Sequence, residues 1–401
     1  MAHGGGESSP VRTPSGMVES LENGDGYQSM VQLADLYRID NFIDTFALGH
    51  YARVLYAQHQ RTGSAVAFKV LRPEHLAEDP RWEYRAFANE ADLLMKLADS
   101  PQVVKLYDCG YVSARGEAPI DGEIESFGTN VQTFARELAA FSDRGWRPYL
   151  ALENLPRNNN LFCQMRPDKQ GTRLRLPSEE GLALALQFAE LLKLAHSRNI
   201  VYMDHKLEHV YWDGLQLRVI DFNSSRLLEK SRDNPAQMFR SDVHNLCVGI
   251  LYSIFTGLSP QKTALRPQPG TITDVEARYK DIDSLDFGVE PTLSQGLQTL
   301  LQSGAAVQIE SADELIGGLR EVATAHGWDF PNYASSPINR EARSQLRAGI
   351  SRVRRGQDYL REARDLFREA AIQDGIPDEL EDELKRLVKS INDMLQNRVI
   401  P

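Results

Sequence analysis

Four side chains that could do chemistry lie close together in the stretch VYMDHKLEHVYWDGLQLRVIDFNSS, residues 201–225. Asp204 and Lys206 precede a predicted hairpin, His209 lies at its start, and Asp221 follows its second strand. Aspartate and histidine side chains are common metal ligands, and a carboxylate can also accept or orient a proton. Taken alone, the stretch therefore indicates a loose cluster of metal ligands.

Two charged residues far upstream change that interpretation. Lys69 lies in the predicted strand AVAFKVL, and Glu90 lies about twenty residues later on the predicted amphipathic helix RWEYRAFANEADLLMKLA. Either residue alone is ordinary, because most lysines and glutamates are solvated at a surface. Their order is informative: a strand lysine, a helix acid, an Asp-x-Lys loop, and then a strand that ends in Asp-Phe.

This ordered set resembles the signature motifs of the eukaryotic-type protein kinases, over roughly residues 42–327. The resemblance implies an α+β, bilobal protein kinase-like fold, in which a small antiparallel β lobe is followed by a larger helical lobe. It also implies ATP as the nucleotide and Mg²⁺ or Mn²⁺ as the cation. Lys206, two residues after Asp204, resembles the serine/threonine enzymes rather than the tyrosine enzymes.

The resemblance also implies roles for the charged residues. Lys69 is expected to hold the α- and β-phosphates of ATP and to pair with Glu90. Asp204 is expected to orient the acceptor hydroxyl, and Lys206 to offset charge on the transferred phosphoryl group. Asp221 is expected to bind the metal ion.

A nucleotide pocket is implied by the same comparison. FALGHYARV resembles the glycine-rich phosphate loop, but only Gly49 remains of its three glycines. YLALENL resembles the strand and hinge whose backbone contacts the adenine edge. The complete set of expected nucleotide contacts is Gly49, Val54, Ala67, Lys69, Leu152, Glu153, Leu155 and Tyr211.

His209 departs from the family pattern, since it stands where the resemblance implies an asparagine that binds a second metal ion. Mg²⁺ prefers oxygen ligands, whereas an imidazole suits Mn²⁺ or Zn²⁺ better. Two alternatives stay open. His209 and Asp221 could bind the cation together, or His209 could hydrogen-bond Asp204 and hold the loop without touching metal.

The region after Asp221 is short for an enzyme that phosphorylates peptides. Only 20 residues separate Asp221 from Asp242, and Met203 replaces an arginine with which family members read a phosphorylated activation loop. Regulation by phosphorylation of that loop is therefore not expected, and neither is standard docking of a linear peptide. The acceptor stays open among a folded partner, the protein itself and a small molecule.

Two functions are compatible with these residues. The retained charges of Lys69, Glu90, Asp204, Lys206 and Asp221 favour an ATP- and divalent-metal-dependent phosphotransferase, because such catalysis depends on positioning and charge. The lost loop glycines, the missing second-metal asparagine and the short segment favour the alternative. That alternative is a pseudokinase that acts as a nucleotide-binding or partner-binding scaffold.

The pattern of polar and apolar residues divides the chain into four parts. Residues 1–27 are rich in Gly, Ser, Pro and Glu and are expected to be disordered. Residues 28–156 are expected to form the β lobe, with an insertion at about 113–146, and residues 157–329 to form the helical lobe. Residues 340–401 carry apolar stripes on both sides of a Gly and Pro break, which predicts an amphipathic helical hairpin.

Composition limits the partners. The formal charge of -11 argues against a dedicated nucleic-acid binder. The arginines of residues 340–401 alternate with acids, which indicates a salt-bridged surface, and the apolar stripes predict a protein partner or self-association through the hairpin. Three widely spaced cysteines indicate neither a disulfide framework nor a zinc site. The longest apolar run falls short of the roughly 18 residues of a membrane span, so a cytoplasmic location without membrane contact is expected.

Overall fold

The chain forms an α+β structure, in which an antiparallel sheet is followed by helices. A computed structural model describes residues 31–43, 51–77, 82–165, 175–229, 233–260, 275, 278–328, 337–373 and 375–396. The segment 1–27 and the expected phosphate-loop residue Gly49 lie outside the described residues. The α+β class expected from the sequence is confirmed.

A curled antiparallel sheet occupies residues 37–153. Its strands are β1 (Tyr37–Ile43), β2 (Ala52–His59), β3 (Ala65–Leu71), β4 (Leu106–Val112), β5 (Ile124–Ser126) and β6 (Arg147–Glu153), in the order β1-β2-β3-β6-β4-β5. A short helix, α1 (Leu33–Leu36), precedes β1. Gly63 makes the turn between β2 and β3 with a φ of +68°, a conformation that glycine adopts without strain. β3 pairs with both β2 and β6, as suits its β-branched and aromatic sequence AVAFKVL.

One helix packs on this sheet and carries Glu90. α2 (Trp82–Lys96) contacts β4 and β6. Its residues Phe87, Ala91 and Leu94 recur every three or four positions and are buried, as the sequence pattern predicts. Glu90 is buried with them, so its carboxylate needs a partner inside the protein.

The segment expected as an insertion packs against the sheet. β5 pairs with β4, and the helix predicted within NVQTFARELAAFSD is broken into α3 (Val131–Arg136) and α4 (Leu138–Asp143). Asn130 begins α3, since its side chain accepts a hydrogen bond from the backbone N–H of Thr133. Phe141 of α4 stacks on Tyr111 of β4, with ring centroids 4.5 Å apart. The segment therefore shares the core of the sheet.

Helices are the main elements among the described residues between 161 and 325. They are α5 (Leu161–Gln164), α6 (Ser178–Ser197), α7 (Pro235–Leu246), α8 (Tyr252–Thr256), α9 (Gln295–Ala305) and α10 (Ala312–Ala325). α6 is apolar on nearly all sides and is covered by neighbours that include α7 and α10. A π-helix, Cys247–Leu251, joins α7 to α8.

Short elements hold the stretch 201–225 in place. β7 (Ile200–Val201) pairs with β10 (Arg226–Leu227), and β8 (Val210–Trp212) pairs with β9 (Leu217–Val219), which confirms the predicted hairpin. A 3₁₀ helix, Leu207–His209, precedes β8, and similar turns lie at Pro73–Ala77 and Arg157–Asn159.

A helical hairpin ends the described chain. α11 (Pro337–Ala371) packs against α12 (Asp378–Gln396), and Gly375 lies between them with a φ of +84°. Leu384 and Ile391 are buried, but Leu380 and Leu387 of the same predicted stripe are exposed. The predicted stripe of α12 is therefore split between a buried and an exposed side. Among the helices that the structure describes, none is long and apolar enough to cross a membrane.

Candidate functional site

Lys69 joins three parts of the chain. Its Nζ donates to Glu90 Oε2 at 2.6 Å and to Asp221 Oδ1 at 2.9 Å. These residues belong to β3, to α2 and to the loop after β9. The pairing of Lys69 with Glu90 that the sequence predicts is present. The second bond links the sheet directly to the stretch 201–225.

Burial and ion pairing set the charges of this group. Burial alone would lower the pKa of Lys69, but the carboxylates of Asp221 and Glu90 outweigh it and hold that pKa above its ordinary value. Burial acts to raise the pKa of Asp221, yet Lys69 and His209 hold it well below its usual range. Lys69 is therefore cationic and Asp221 anionic at neutral pH.

Asp204 is surrounded by basic side chains. Lys206 Nζ lies 3.2 Å from its Oδ2, and the Arg278 guanidinium pairs with its Oδ1. Burial acts to raise the pKa of Asp204, but His209, Lys206 and Arg278 outweigh that effect and lower it. The carboxylate is ionised at neutral pH, so it can accept a hydrogen bond from a hydroxyl group.

His209 links the two aspartates. Its Nε2 lies 3.1 Å from Asp221 Oδ2, and its Nδ1 lies 3.2 Å from the backbone carbonyl oxygen of Asp204. Both neighbours are acceptors, so an imidazolium donates to both, whereas a neutral ring donates to only one. One alternative from the sequence is a hydrogen bond between His209 and Asp204, and this contact is present with the backbone carbonyl of Asp204. The ring also contacts the carboxylate that is expected to bind the cation.

Asp242 of α7 fixes the backbone before Asp204. Its carboxylate accepts from the backbone N–H groups of Tyr202 and Met203, each at 2.7 Å. Met203 has a φ of 67°, a left-handed conformation that costs a non-glycine residue about 1 kcal/mol or more. The two bonds to Asp242 hold that conformation. Tyr202 in turn packs edge-on against Phe222, at 5.1 Å between ring centroids, so the loop and the residue after Asp221 share one core.

The chain returns to a helix soon after Asp221. α7 begins at Pro235, and the Asn234 side chain caps it by accepting from the backbone N–H of Gln237. The stretch NPAQMF is therefore the start of the helix that carries Asp242. Little chain is left between Asp221 and α7 for docking a peptide.

Sequence reasoning misses Arg278, which lies far along the chain from Asp204. Its neighbour Tyr279 donates from its hydroxyl to the backbone carbonyl of His205 at 2.6 Å. A Cβ on Gly249, in the π-helix, would lie 2.7 Å from the Tyr279 ring, so only glycine leaves room for this packing. No motif around Arg278 marks it, because its position depends on the tertiary packing of Tyr279.

Tyr51 is a second residue that sequence reasoning misses. It lies within the expected phosphate loop, two residues after Gly49, and its ring packs against Trp82 and Phe87 of α2, at 5.1 and 6.0 Å between centroids. Burial raises the pKa of its hydroxyl, and the charges of Lys69 and Asp221 act on the same group. Tyr51 therefore borders the Lys69–Asp221 pair from the side of that loop.

The residues expected around the nucleotide lie largely on one face of the sheet. Val54 pairs with Lys69 across β2 and β3, and Ala67 pairs with Leu152 across β3 and β6. Directly paired residues share a face, as do residues two apart on one strand, so all four share the face that carries Lys69. Glu153 and Leu155 follow at and beyond the end of β6, and Tyr211 lies on β8.

Asp221 and His209 are the described residues that could hold a cation. Within the part of the chain that the structure describes, no group of three or more His, Cys, Asp or Glu could hold a metal ion by itself. Protein-bound Mg²⁺ often has only one or two carboxylate ligands and takes its others from water and substrate phosphates. A carboxylate and an imidazole therefore fit a cation that binds together with a nucleotide, and the imidazole suits a transition metal such as Mn²⁺ or Zn²⁺ better than Mg²⁺.

No protein-family model matches the chain, and no curated protein sequence matches it.

Proposed function

We propose that this protein is an ATP- and divalent-cation-dependent phosphotransferase with a bilobal, protein kinase-like fold. The main support for the proposal is the pair of hydrogen bonds made by Lys69, whose Nζ donates to both Glu90 and Asp221. A buried lysine that is held between a helix acid and a second acid presents a fixed positive charge. Phosphoryl transfer depends on such fixed charges more than on covalent chemistry.

The proposed roles follow the surroundings of each group. Lys69 binds the α- and β-phosphates, and Asp221 with His209 holds the cation, which when bound neutralises phosphate charge. Asp204 orients the acceptor hydroxyl and takes its proton as the new O–P bond forms and the bond to ADP breaks. Lys206, 3.2 Å from Asp204 Oδ2, offsets charge on the phosphoryl group during transfer.

The proposed adenine site is the sheet face that carries Lys69. Val54, Ala67 and Leu152 share this face, and Val54 and Ala67 are partly exposed there. An adenine ring needs apolar surfaces above and below it and backbone groups at its edge. We assign the edge contacts to the backbone of Glu153 and Leu155, and the surface from the helical side to Tyr211.

A second candidate function is a nucleotide-binding or partner-binding scaffold without phosphoryl transfer. Two contacts favour it. His209 Nε2 contacts Asp221 Oδ2, the oxygen opposite the one that Lys69 uses, and Arg278 pairs with Asp204 Oδ1. In this alternative the bases neutralise both aspartates permanently, and neither carboxylate is left to act on a substrate.

ATP labelled in the γ-phosphate separates the two functions. The full chain is incubated with Mg²⁺ or Mn²⁺, and label is followed into water, into the protein and into candidate acceptors. Lys69→Met and Asp221→Asn are each expected to reduce transfer at least about a hundredfold, because the first removes the positive charge at the phosphates and the second removes the carboxylate proposed to hold the cation. Lys96→Met is the matched control, since Lys96 pairs with Asp92 on the surface of α2, away from Asp221 and Glu90.

Calorimetric titration with ATP and cation completes the experiment. Nucleotide binding without any transfer of label by the wild-type protein would refute the phosphotransferase and leave the scaffold. Absence of both binding and transfer would refute the nucleotide site itself. Equal loss in Lys69→Met and Lys96→Met would show that the effect does not come from the site.

A further inference from the structure

An apolar stripe is exposed along the C-terminal hairpin. Its residues are spaced by seven on each helix, the repeat at which apolar side chains face a partner helix. Between 36% and 67% of each residue's surface is exposed. The residues of this exposed stripe are Tyr359 and Leu366 on α11 and Leu380, Leu387 and Met394 on α12. The contact between α11 and α12 uses other positions, since Leu384 and Ile391 are buried.

Both halves of the exposed stripe lie on the same side of the hairpin. Successive residues of a helix turn by about 100°, so the stripe residues of α12 lie about 60° to one side of the buried line through Leu384 and Ile391. On α11, the half-buried Leu360 and Phe367 mark the side that faces α12. Tyr359 and Leu366 lie about 100° from that line, in the same rotational sense. Because the helices are antiparallel, the same sense places both halves on one face.

Charge is distributed unevenly along the hairpin. α12 begins with DELEDE, residues 378–383, which contains five acids and no base. Antiparallel packing puts residue 353 of α11 level with the end of α12, and the exposed Arg352 lies there. At 1.5 Å per residue, the acidic segment is centred about 10 Å from Leu387 on the side of the turn, and Arg352 lies about 15 Å away on the other side.

We propose that the exposed stripe is covered by the same stripe of a second copy of this chain, with the two hairpins antiparallel to each other. A two-fold axis near Leu387 superimposes the two stripes. The same axis brings residues 378–383 of each copy beside Arg352 of the other. A parallel arrangement would place acids beside acids and Arg352 beside the Arg352 of the second copy, which is unfavourable.

A second copy fits this surface better than the other possible occupants. The stripe is exposed in the single chain, so the described residues of that chain do not cover it. A two-fold contact requires a surface that is complementary to itself. The hairpin meets that requirement, because an apolar centre is flanked by acids on one side and by Arg352 on the other.

Light scattering and sedimentation of the full chain over a dilution series test the proposal. The wild-type protein is expected at about twice the monomer mass of 45.1 kDa. Leu366→Glu combined with Leu387→Glu is expected to give a monomer with unchanged helix content by circular dichroism. Ile372→Glu is the matched control and is expected to stay dimeric, since Ile372 is 81% exposed but lies outside the stripe.

Charge reversal tests the antiparallel arrangement. Arg352→Glu and Glu379→Arg are each expected to weaken the dimer about tenfold, and the combination to restore it. Both positions are exposed, so these variants should fold even where a stripe variant does not. The proposal is overturned by a monomeric wild-type protein, or by a dimer that survives the two stripe substitutions. A combination that binds no better than the single reversals overturns the antiparallel arrangement.

Discussion

Two nearby aspartates differ in the basic side chains that surround them. Asp221 lies between Lys69 and His209, whereas Asp204 lies between Lys206 and Arg278. Both carboxylates are ionised, but each is bonded to a different part of the chain. Under the proposed function, this separates the carboxylate for the cation from the carboxylate for the acceptor. Two carboxylates of the same type can have different chemical roles when their surroundings differ.

Replacing Arg278 with Met should act on the reaction through Asp204. Burial acts to raise the pKa of Asp204, and His209, Lys206 and Arg278 together lower it. Loss of one of these bases raises that pKa, so less of the carboxylate is ionised at a given low pH. The acid limb of the turnover profile, measured from about pH 5 to pH 9, is expected to move to higher pH.

The matched control for Arg278→Met is Lys280→Met, because Lys280 is an exposed base two residues away. Its profile is expected to follow that of the wild-type protein. Arg278→Lys keeps the charge and is expected to retain most of the original pH dependence. An acid limb that does not move in a folded, active Arg278→Met variant would contradict the pairing with Asp204.

Asp242 should stabilise the protein in a pH-dependent way. Burial acts to raise its pKa, but the hydrogen bond from His196 and the other contacts lower it below its value in the unfolded chain. A carboxyl group whose pKa is lower in the folded state than in the unfolded chain stabilises the folded protein. Its full contribution is present at pH values above the unfolded pKa of about 3.9, and it is lost as the pH falls through the folded pKa. Asp242→Asn, which accepts with one oxygen only, is expected to cost about 1–3 kcal/mol of unfolding free energy at neutral pH.

Urea unfolding of Asp242→Asn across a pH series checks this expectation. The difference from the wild-type protein should shrink as pH falls below about 4, because the wild-type carboxylate becomes protonated. Asp92→Asn serves as the control, since Asp92 pairs with Lys96 on the surface of a helix, and such pairs contribute little. A constant difference at all pH values would show that charge at Asp242 plays no part.

Elements with a strong sequence period are predicted well. The apolar spacing of α2 and the β-branched residues of β3 identify both elements, and the order of Lys69 and Glu90 on them anticipates their contact. Local signals cannot reveal Arg278, because its contact with Asp204 depends on how Tyr279 packs beside the π-helix. The division of the α12 stripe depends likewise on which side meets α11. Sequence therefore anticipates the local elements and one of their contacts, while the remaining contacts come from tertiary packing.

Gly249→Ala tests whether the π-helix positions the loop that carries Asp204. The new Cβ would lie 2.7 Å from the Tyr279 ring, so the ring must move and its bond to the His205 carbonyl must weaken. The expected cost is about 1–3 kcal/mol in the free energy of unfolding, measured by urea denaturation. Turnover is expected to fall as well, because the adjacent Arg278 shifts with Tyr279.

Gly317→Ala is the matched control for that substitution. Gly317 lies inside α10, and nothing lies within 4 Å of a Cβ added there. Alanine is favoured over glycine in a helix, so this variant is expected to be more stable by about 0.5–1 kcal/mol. Equal destabilisation by both substitutions would argue against the steric explanation at Gly249.

The sheet and the helices meet through charge as well as through apolar packing. Lys69 of the sheet is bonded to Asp221 of the helical part, and the main apolar core runs through both parts. A nucleotide with its cation, bound at the proposed site, would contact residues from both parts at once. A ligand that binds the folded protein and not the unfolded chain therefore stabilises the association of the sheet with the helices.

Thermal unfolding should report this linkage. At a free concentration of ATP and cation 100 times the dissociation constant, a ligand of the folded state adds about 2.7 kcal/mol to the free energy of unfolding. The midpoint of the wild-type protein is therefore expected to rise by several degrees. In Asp221→Asn the part of the rise that requires the cation should disappear, because the substitution removes the charge that is proposed to bind it. Asp281→Asn, at an exposed position, should keep the full rise, and an equal rise in all three proteins would place the cation elsewhere.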